Sequence, residues 1–162
     1  MKKAQIIFLK LVVCLVGVGA LVWLIRFPQT EGRATNLDLF SIYWDPIILY
    51  MYVASGAFFL ALYQAIKLLG YIGEDKLLSP SSAKALRIIK YCALAGVGFI
   101  VVGEAWILIA NFVEGSKEDA AGAVAMGVFM TFVSIVVATV ASVFEKILQN
   151  NLDIKSKNNP TA

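Results

Sequence analysis

The sequence predicts an all-α polytopic membrane protein, a four-transmembrane-helix bundle with both termini in the cytoplasm. Three observations carry that reading. The 162-residue chain is 60% hydrophobic and 15% charged, with a mean hydropathy of +0.80, too apolar for an ordinary soluble domain. Its charges cluster between four long apolar runs, so the hydrophobic surplus sits in spans rather than in one globular core. Its basic residues occupy alternate connections. Spans are expected at about residues 6–27, 47–69, 88–111 and 120–144 of a membrane domain over 1–149, with a polar cytoplasmic tail over 150–162. At about 1.5 Å of rise per residue, each is long enough to cross roughly 30 Å of hydrocarbon.

The first run follows Met1-Lys2-Lys3 and reaches Phe27. It is too long for the apolar region of an ordinary signal peptide and continues through Leu21-Val22-Trp23-Leu24-Ile25. Leu11-Val12-Val13-Cys14 is not a lipoprotein signal, because Val13 stands where a small residue is needed. The run is therefore read as an uncleaved span, with Lys10 close enough to its end to snorkel. Phe27-Pro28 is expected to end it. Leu37 to Trp44 is aromatic and amphipathic, an interfacial anchor rather than a lid. Asp45-Pro46 and Ser79-Pro80 each supply an N-cap candidate followed by a first-turn proline.

The second span carries Ala54, Ala57, Ala61 and Gln64 on one side, a seam along which a neighbouring helix approaches closely. Gly70 and Gly73 are expected to break it before the solvated turn Glu74-Asp75-Lys76. The third helix winds from Ser79 through a basic stretch into the apolar run Tyr91 to Phe112, whose single charge is Glu104. Cys92, Gly96 and Gly103 form a close-packing seam there, while Val97, Val101, Glu104, Leu108 and Asn111 share another face. Gly17-Val18-Gly19 and Gly96-Val97-Gly98 read as helix-packing glycines, since neither lies between a strand and a helix where it could cradle phosphate. The fourth span holds no charge from Ala120 to Phe144. Its stripe of Gly127, Thr131, Ser134, Ala138 and Ala141 is small or weakly polar, and Ala123 adds a small-xxx-small pair with Gly127. Glu145-Lys146 marks the interface, and the tail from Asn150 is expected to be disordered.

Orientation follows from charge. Lys2, Lys3 and Lys10 before the first span, Lys67, Lys76, Lys84, Arg87 and Lys90 around the middle connection, and Lys146, Lys155 and Lys157 at the end make eleven of the 14 Lys and Arg. The other two connections hold Arg26, Arg33 and Lys117 together with six acids, Glu31, Asp38, Asp45, Glu114, Glu118 and Asp119. The positive-inside rule places both termini and the middle connection in the cytoplasm. This distribution also accounts for the net charge of +3, so nucleic acid is not an expected partner.

Histidine is absent, which removes Ser-His-Asp and Cys-His catalysis and histidine metal ligation. Cys14 and Cys92 fall inside apolar runs and read as packing residues. No CxxC, paired-acid motif or nucleophile elbow is present, so no catalytic residue, cofactor or metal is expected and the chain is not expected to be an enzyme.

The stretch Ala61-Leu62-Tyr63-Gln64-Ala65-Ile66-Lys67-Leu68-Leu69, the block Leu78-Ser79 to Ala85-Leu86, and Ile88-Ile89-Lys90-Tyr91-Cys92-Ala93 resemble a family of small bacterial four-helix membrane proteins classified as a domain of unknown function. The ending Phe144-Glu145-Lys146-Ile147-Leu148 through Leu152-Asp153-Ile154-Lys155-Ser156 is similar to the family's C-terminus. The likeness covers most of the chain and is weakest in the first helix. It implies a four-span inner-membrane protein, commonly encoded beside a small helix-turn-helix regulator, and it implies no reaction and no functional residues.

Glu104 is the sharpest candidate. It lies seven residues before Asn111, about 10 Å of helix rise from the outer end. An ionised acid near mid-bilayer costs about 2.5–3.5 kcal/mol on insertion scales, so it must be neutralised, paired or facing water. It is read either as an intramembrane proton or cation site with Thr131 and Ser134, as an acid hydrogen-bonded to one of those hydroxyls, or as a group reaching the outer headgroups. Lys76, Lys84, Arg87 and Lys90 are candidate contacts for anionic lipid headgroups or a partner protein, although positive-inside topology produces such a set by itself. The resulting expectation is a non-enzymatic sensory, regulatory or accessory protein acting through membrane partners or as a homo-oligomer in the lipid bilayer. The alternative is a small transporter or channel subunit built around Glu104.

Overall fold

The computed structural model describes residues 3–30, 43–114 and 120–158. Among them lie four helices, α1 (Lys3–Thr30), α2 (Pro46–Gly73), α3 (Pro80–Glu114) and α4 (Ala120–Asn158). Each is long and apolar enough to cross a membrane. Leu37, Leu39, Phe40 and Ile42 of the aromatic stretch, Glu31, Asp38, Glu118, Asp119, Arg33 and Lys117 lie outside the described residues. The helices divide into two compact units, Met1–Leu77 and Leu78–Ala162.

In the first unit α1 and α2 pack antiparallel. Ile6 lies beside Gly73, the Lys10 ammonium beside Gly70, and Leu62 beside Gly17. Of the two glycines in Gly17-Val18-Gly19, Gly17 meets the neighbour and Gly19 faces open space. Ala54, Ala57, Ala61 and Gln64 are half-buried along α2. Asp45 caps α2 as its sequence requires, its carboxylate accepting from the Ile47 N–H at 2.8 Å, with Pro46 in the first turn.

Two expected helix ends move. α1 continues two residues past Pro28, so the proline sits inside the last turn rather than stopping the helix. Proline has no N–H to give the carbonyl four residues back, which is that of Leu24. The Tyr52 hydroxyl of α2 donates to that oxygen at 3.3 Å, and Tyr43 donates to the next carbonyl, Ile25, at 3.2 Å. A neighbouring element thus re-satisfies backbone that hydrocarbon would leave bare. At the other end of α2, Gly70 stays helical and the chain turns later. Glu74 N–H bonds the Gly70 carbonyl at 3.2 Å, and Asp75 takes the left-handed conformation at φ 55. Aspartate tolerates that region better than most non-glycine residues.

In the second unit α3 begins at Pro80 behind a serine cap, with the Ser82 N–H donating to the Ser79 hydroxyl at 3.3 Å. Packing against α4 is antiparallel. Glu104 meets Gly127 and Arg87 meets Glu145, so 17 residues of α3 match 18 of α4 and the helices keep step over about 25 Å. Ala138, Ala141, Glu145 and Leu148 are the buried face of α4. They continue the stripe from Thr131 and Ser134 at alternating three- and four-residue steps, the spacing of a helix–helix seam. On α3, Cys92 is buried, but a Cβ added at Gly96 or Gly98 would meet nothing within 4 Å, so those two glycines are not sites of close approach.

The expected disordered tail is corrected as far as Asn158, because α4 runs unbroken to that residue. At 39 residues it is about 58 Å long, nearly twice the hydrocarbon thickness. Leu148 is buried and Leu152 half-buried, so the apolar side of α4 outlasts the membrane run and holds the polar end helical. Away from the seam, Trp106, Ile109, Phe129 and Phe132 are each more than 60% exposed. An apolar surface of that kind fits lipid and not water.

Candidate functional site

Glu104 lies on the side of α3 that meets α4. A Cβ built on Gly127 would coincide with the Glu104 carboxyl, so this acid occupies the space that a missing side chain on α4 leaves open. Its Oε1 is fully buried, and so is the Thr131 hydroxyl one turn further along α4. Neither atom has a hydrogen-bond partner among the described residues. The bond from Glu104 to Thr131 or Ser134, one of the three readings of this acid, is therefore not made. For Ser134 the reason is distance along the helix, since it stands seven residues, about 10 Å, from the Gly127 contact. Other hydroxyls in the spans bond their own helix, Thr139 to the Ile135 carbonyl at 2.8 Å and Ser55 to that of Tyr52 at 2.7 Å. Asn111, on the Glu104 face of α3, likewise donates to the Ile107 carbonyl at 3.0 Å.

The four basic candidates separate. Lys76 pairs with Glu74 at 2.8 Å in the connection. The hydrogen bond from Lys76 holds the Glu74 carboxyl below the ordinary carboxylate range, and the same bond raises the Lys76 ammonium. Lys84 is exposed. Arg87 and Lys90 converge on Glu145, with Arg87 Nε donating to Oε1 and Lys90 Nζ to Oε2, both at 2.7 Å. Gln149 adds a third donor, from Nε2 to Oε1 at 3.1 Å. The Glu145 side chain is 6% exposed, whereas Arg87 is 54% exposed and Lys90 21%.

Glu145, read from the sequence as the start of the interface, is thus a buried acid tied to two cations. Its signal was its position. It stands four residues after Ala141 and seven after Ala138, in register with the inward stripe, and Arg87 and Lys90 share one face of α3 at a three-residue step. Two charge-assisted bonds and an amide on one carboxylate meet the cost of burying it. The arrangement is a clamp just past the charge-free run of α4. Among the described residues no group of three or more His, Cys, Asp or Glu side chains is placed to hold a metal.

Four long apolar helices, two antiparallel packing units and a seam holding one acid within the apolar run define a multi-pass helical membrane protein. The chain belongs to the family described as proteins of unknown function (DUF2975), whose model matches residues 6–161. It is 35% identical over 163 residues to the uncharacterized membrane protein YoaS of Bacillus subtilis (strain 168), with 99% of each chain covered. No solved structure matches it. The family resemblance carried by the Ala61–Leu69 and Leu78–Ala93 blocks is therefore correct.

Proposed function

We propose that this chain is a non-enzymatic regulatory or accessory protein of the bacterial plasma membrane, with both termini in the cytoplasm, acting through membrane partners. One observation carries the reading. α3 and α4 stay joined past the charge-free run through the Glu145 clamp, and α4 continues as a helix to Asn158. The intramembrane seam at Glu104 and the polar end of α4 thus belong to one helical hairpin, which suits a device that relays a membrane event to a partner. The orientation is supported by the eleven basic residues at one set of ends.

Two experiments test it. A fluorescent protein fused after Ala162 should fold and fluoresce, and alkaline phosphatase at the same point should be inactive; the reverse pattern overturns the orientation. A photo-crosslinking residue placed at Ile154, which is 58% exposed, should join a defined membrane or cytoplasmic protein in native membranes. Crosslinks to lipid and to the chain itself alone would remove the partner reading.

A small transporter or channel subunit is the second reading. It is favoured by the unpartnered oxygens of Glu104 and Thr131 in the seam. Its test is cation or proton flux in reconstituted vesicles, which Glu104→Gln should abolish.

A further inference from the structure

Resting on the reading of this chain as one that acts through membrane partners, we infer that Glu104 is the anchor for a transmembrane helix of a different protein bearing a Lys or Arg. Glu104 is the sole charged residue from Tyr91 to Val113, and α4 has none from Ala120 to Phe144. Gly127, the α4 residue at the contact, has no side chain, and Thr131 one turn further along is uncharged. The carboxylate therefore meets no cation from the one helix packed against α3 in its unit. Oε1 is shut inside the seam, whereas Oε2 is not among the atoms buried without a partner.

The chemistry of the occupant follows from the unpaired carboxylate. An intramembrane acid is stabilised by a basic partner. An ammonium offers three donors and a guanidinium five, a charged donor set suited to a lone carboxylate. A hard metal cation fits poorly, since it takes six or more oxygens and this seam presents one carboxylate and one hydroxyl. A second copy of the chain fits poorly as well. Its basic residues inside the spans are Lys10, Arg26, Lys67 and Lys90, each within about one turn of a span end, whereas Glu104 lies about 10 Å inside.

The test uses the full-length protein, labelled and reconstituted in phosphatidylcholine vesicles, with labelled polyleucine transmembrane helices as probes. One helix carries a single Lys about 10 Å from its outer end, one carries Gln there, and one is all Leu. Energy transfer should report binding of the Lys helix about tenfold tighter than that of the Leu helix. Glu104→Gln should reduce it to the Leu level. The charge-swapped pair, Glu104→Lys with a probe bearing Glu at that depth, should restore transfer, which shows that loss in the first variant is not misfolding. Equal binding of all three helices to the wild type, or undiminished Lys-helix binding by Glu104→Gln, would overturn the inference. Crosslinks from Ile154 that persist at wild-type yield in Glu104→Gln would also remove the anchor while leaving the partner reading intact.

Discussion

The carboxyl of Glu104 and the absent side chain of Gly127 form one feature shared by two residues. Neither is interpretable alone, since the carboxyl as it stands fills the place that a Cβ on residue 127 would take. Gly127→Ala should therefore be more disruptive than a single methyl group in a helix usually is. Overpacking of a fitted seam costs about 1–3 kcal/mol. Denaturation of purified protein in mixed micelles should show a loss of that size, and Glu104→Ala in the same background should recover a large part of it. Additive losses would separate the two residues. Tyr52 makes the same kind of argument in the first unit. Tyr52→Phe should cost about 0.5–1.5 kcal/mol, the net worth of one hydrogen bond. It should cost nearly nothing in a Pro28→Ala chain, where residue 28 regains its N–H and supplies the Leu24 carbonyl itself.

At the scale of elements, α4 is one helix with two solvents. To Phe144 it is free of charge; beyond, it carries Glu145, Lys146, Asp153, Lys155 and Lys157. The clamp sits at the junction. Glu145→Ala removes three hydrogen bonds at once and should lower stability by about 1–3 kcal/mol. Lys90→Ala should hurt more than Arg87→Ala, because Lys90 is 21% exposed and Arg87 54%, and water replaces the partner of an exposed cation at little cost. Leu148 is what keeps the remainder helical. Leu148→Ala should cost about 2–4 kcal/mol locally, and hydrogen exchange should then show amides from 149 to 158 losing protection while those before Phe144 keep theirs. Uniform loss along the whole helix would assign Leu148 to global rather than local stability.

For the whole molecule, the membrane is the larger part of the energetics, and composition alone reports it. Four apolar runs, caps at Asp45 and Ser79, prolines at both first turns and a family signature were all legible in the chain, because each depends on neighbours in sequence. The inward stripe of Thr131, Ser134, Ala138 and Ala141 was legible for the same reason, since helical period is a local property. Three features were not. The bond from Tyr52 to Leu24 spans 28 positions, and the clamp from Arg87 to Glu145 spans 58. No local pattern encodes contacts at such separation. The tail was misread because its composition is that of a disordered segment, while one buried residue, Leu148, keeps its place in the α4 stripe beyond the membrane run. Glu104 was found from its sequence alone, as an acid where hydrocarbon makes acids costly. Only the tertiary structure decided that it faces α4, rests on Gly127 and makes no bond to Thr131 or Ser134, because helix register and rotation come from packing between helices and not from the order of residues within one.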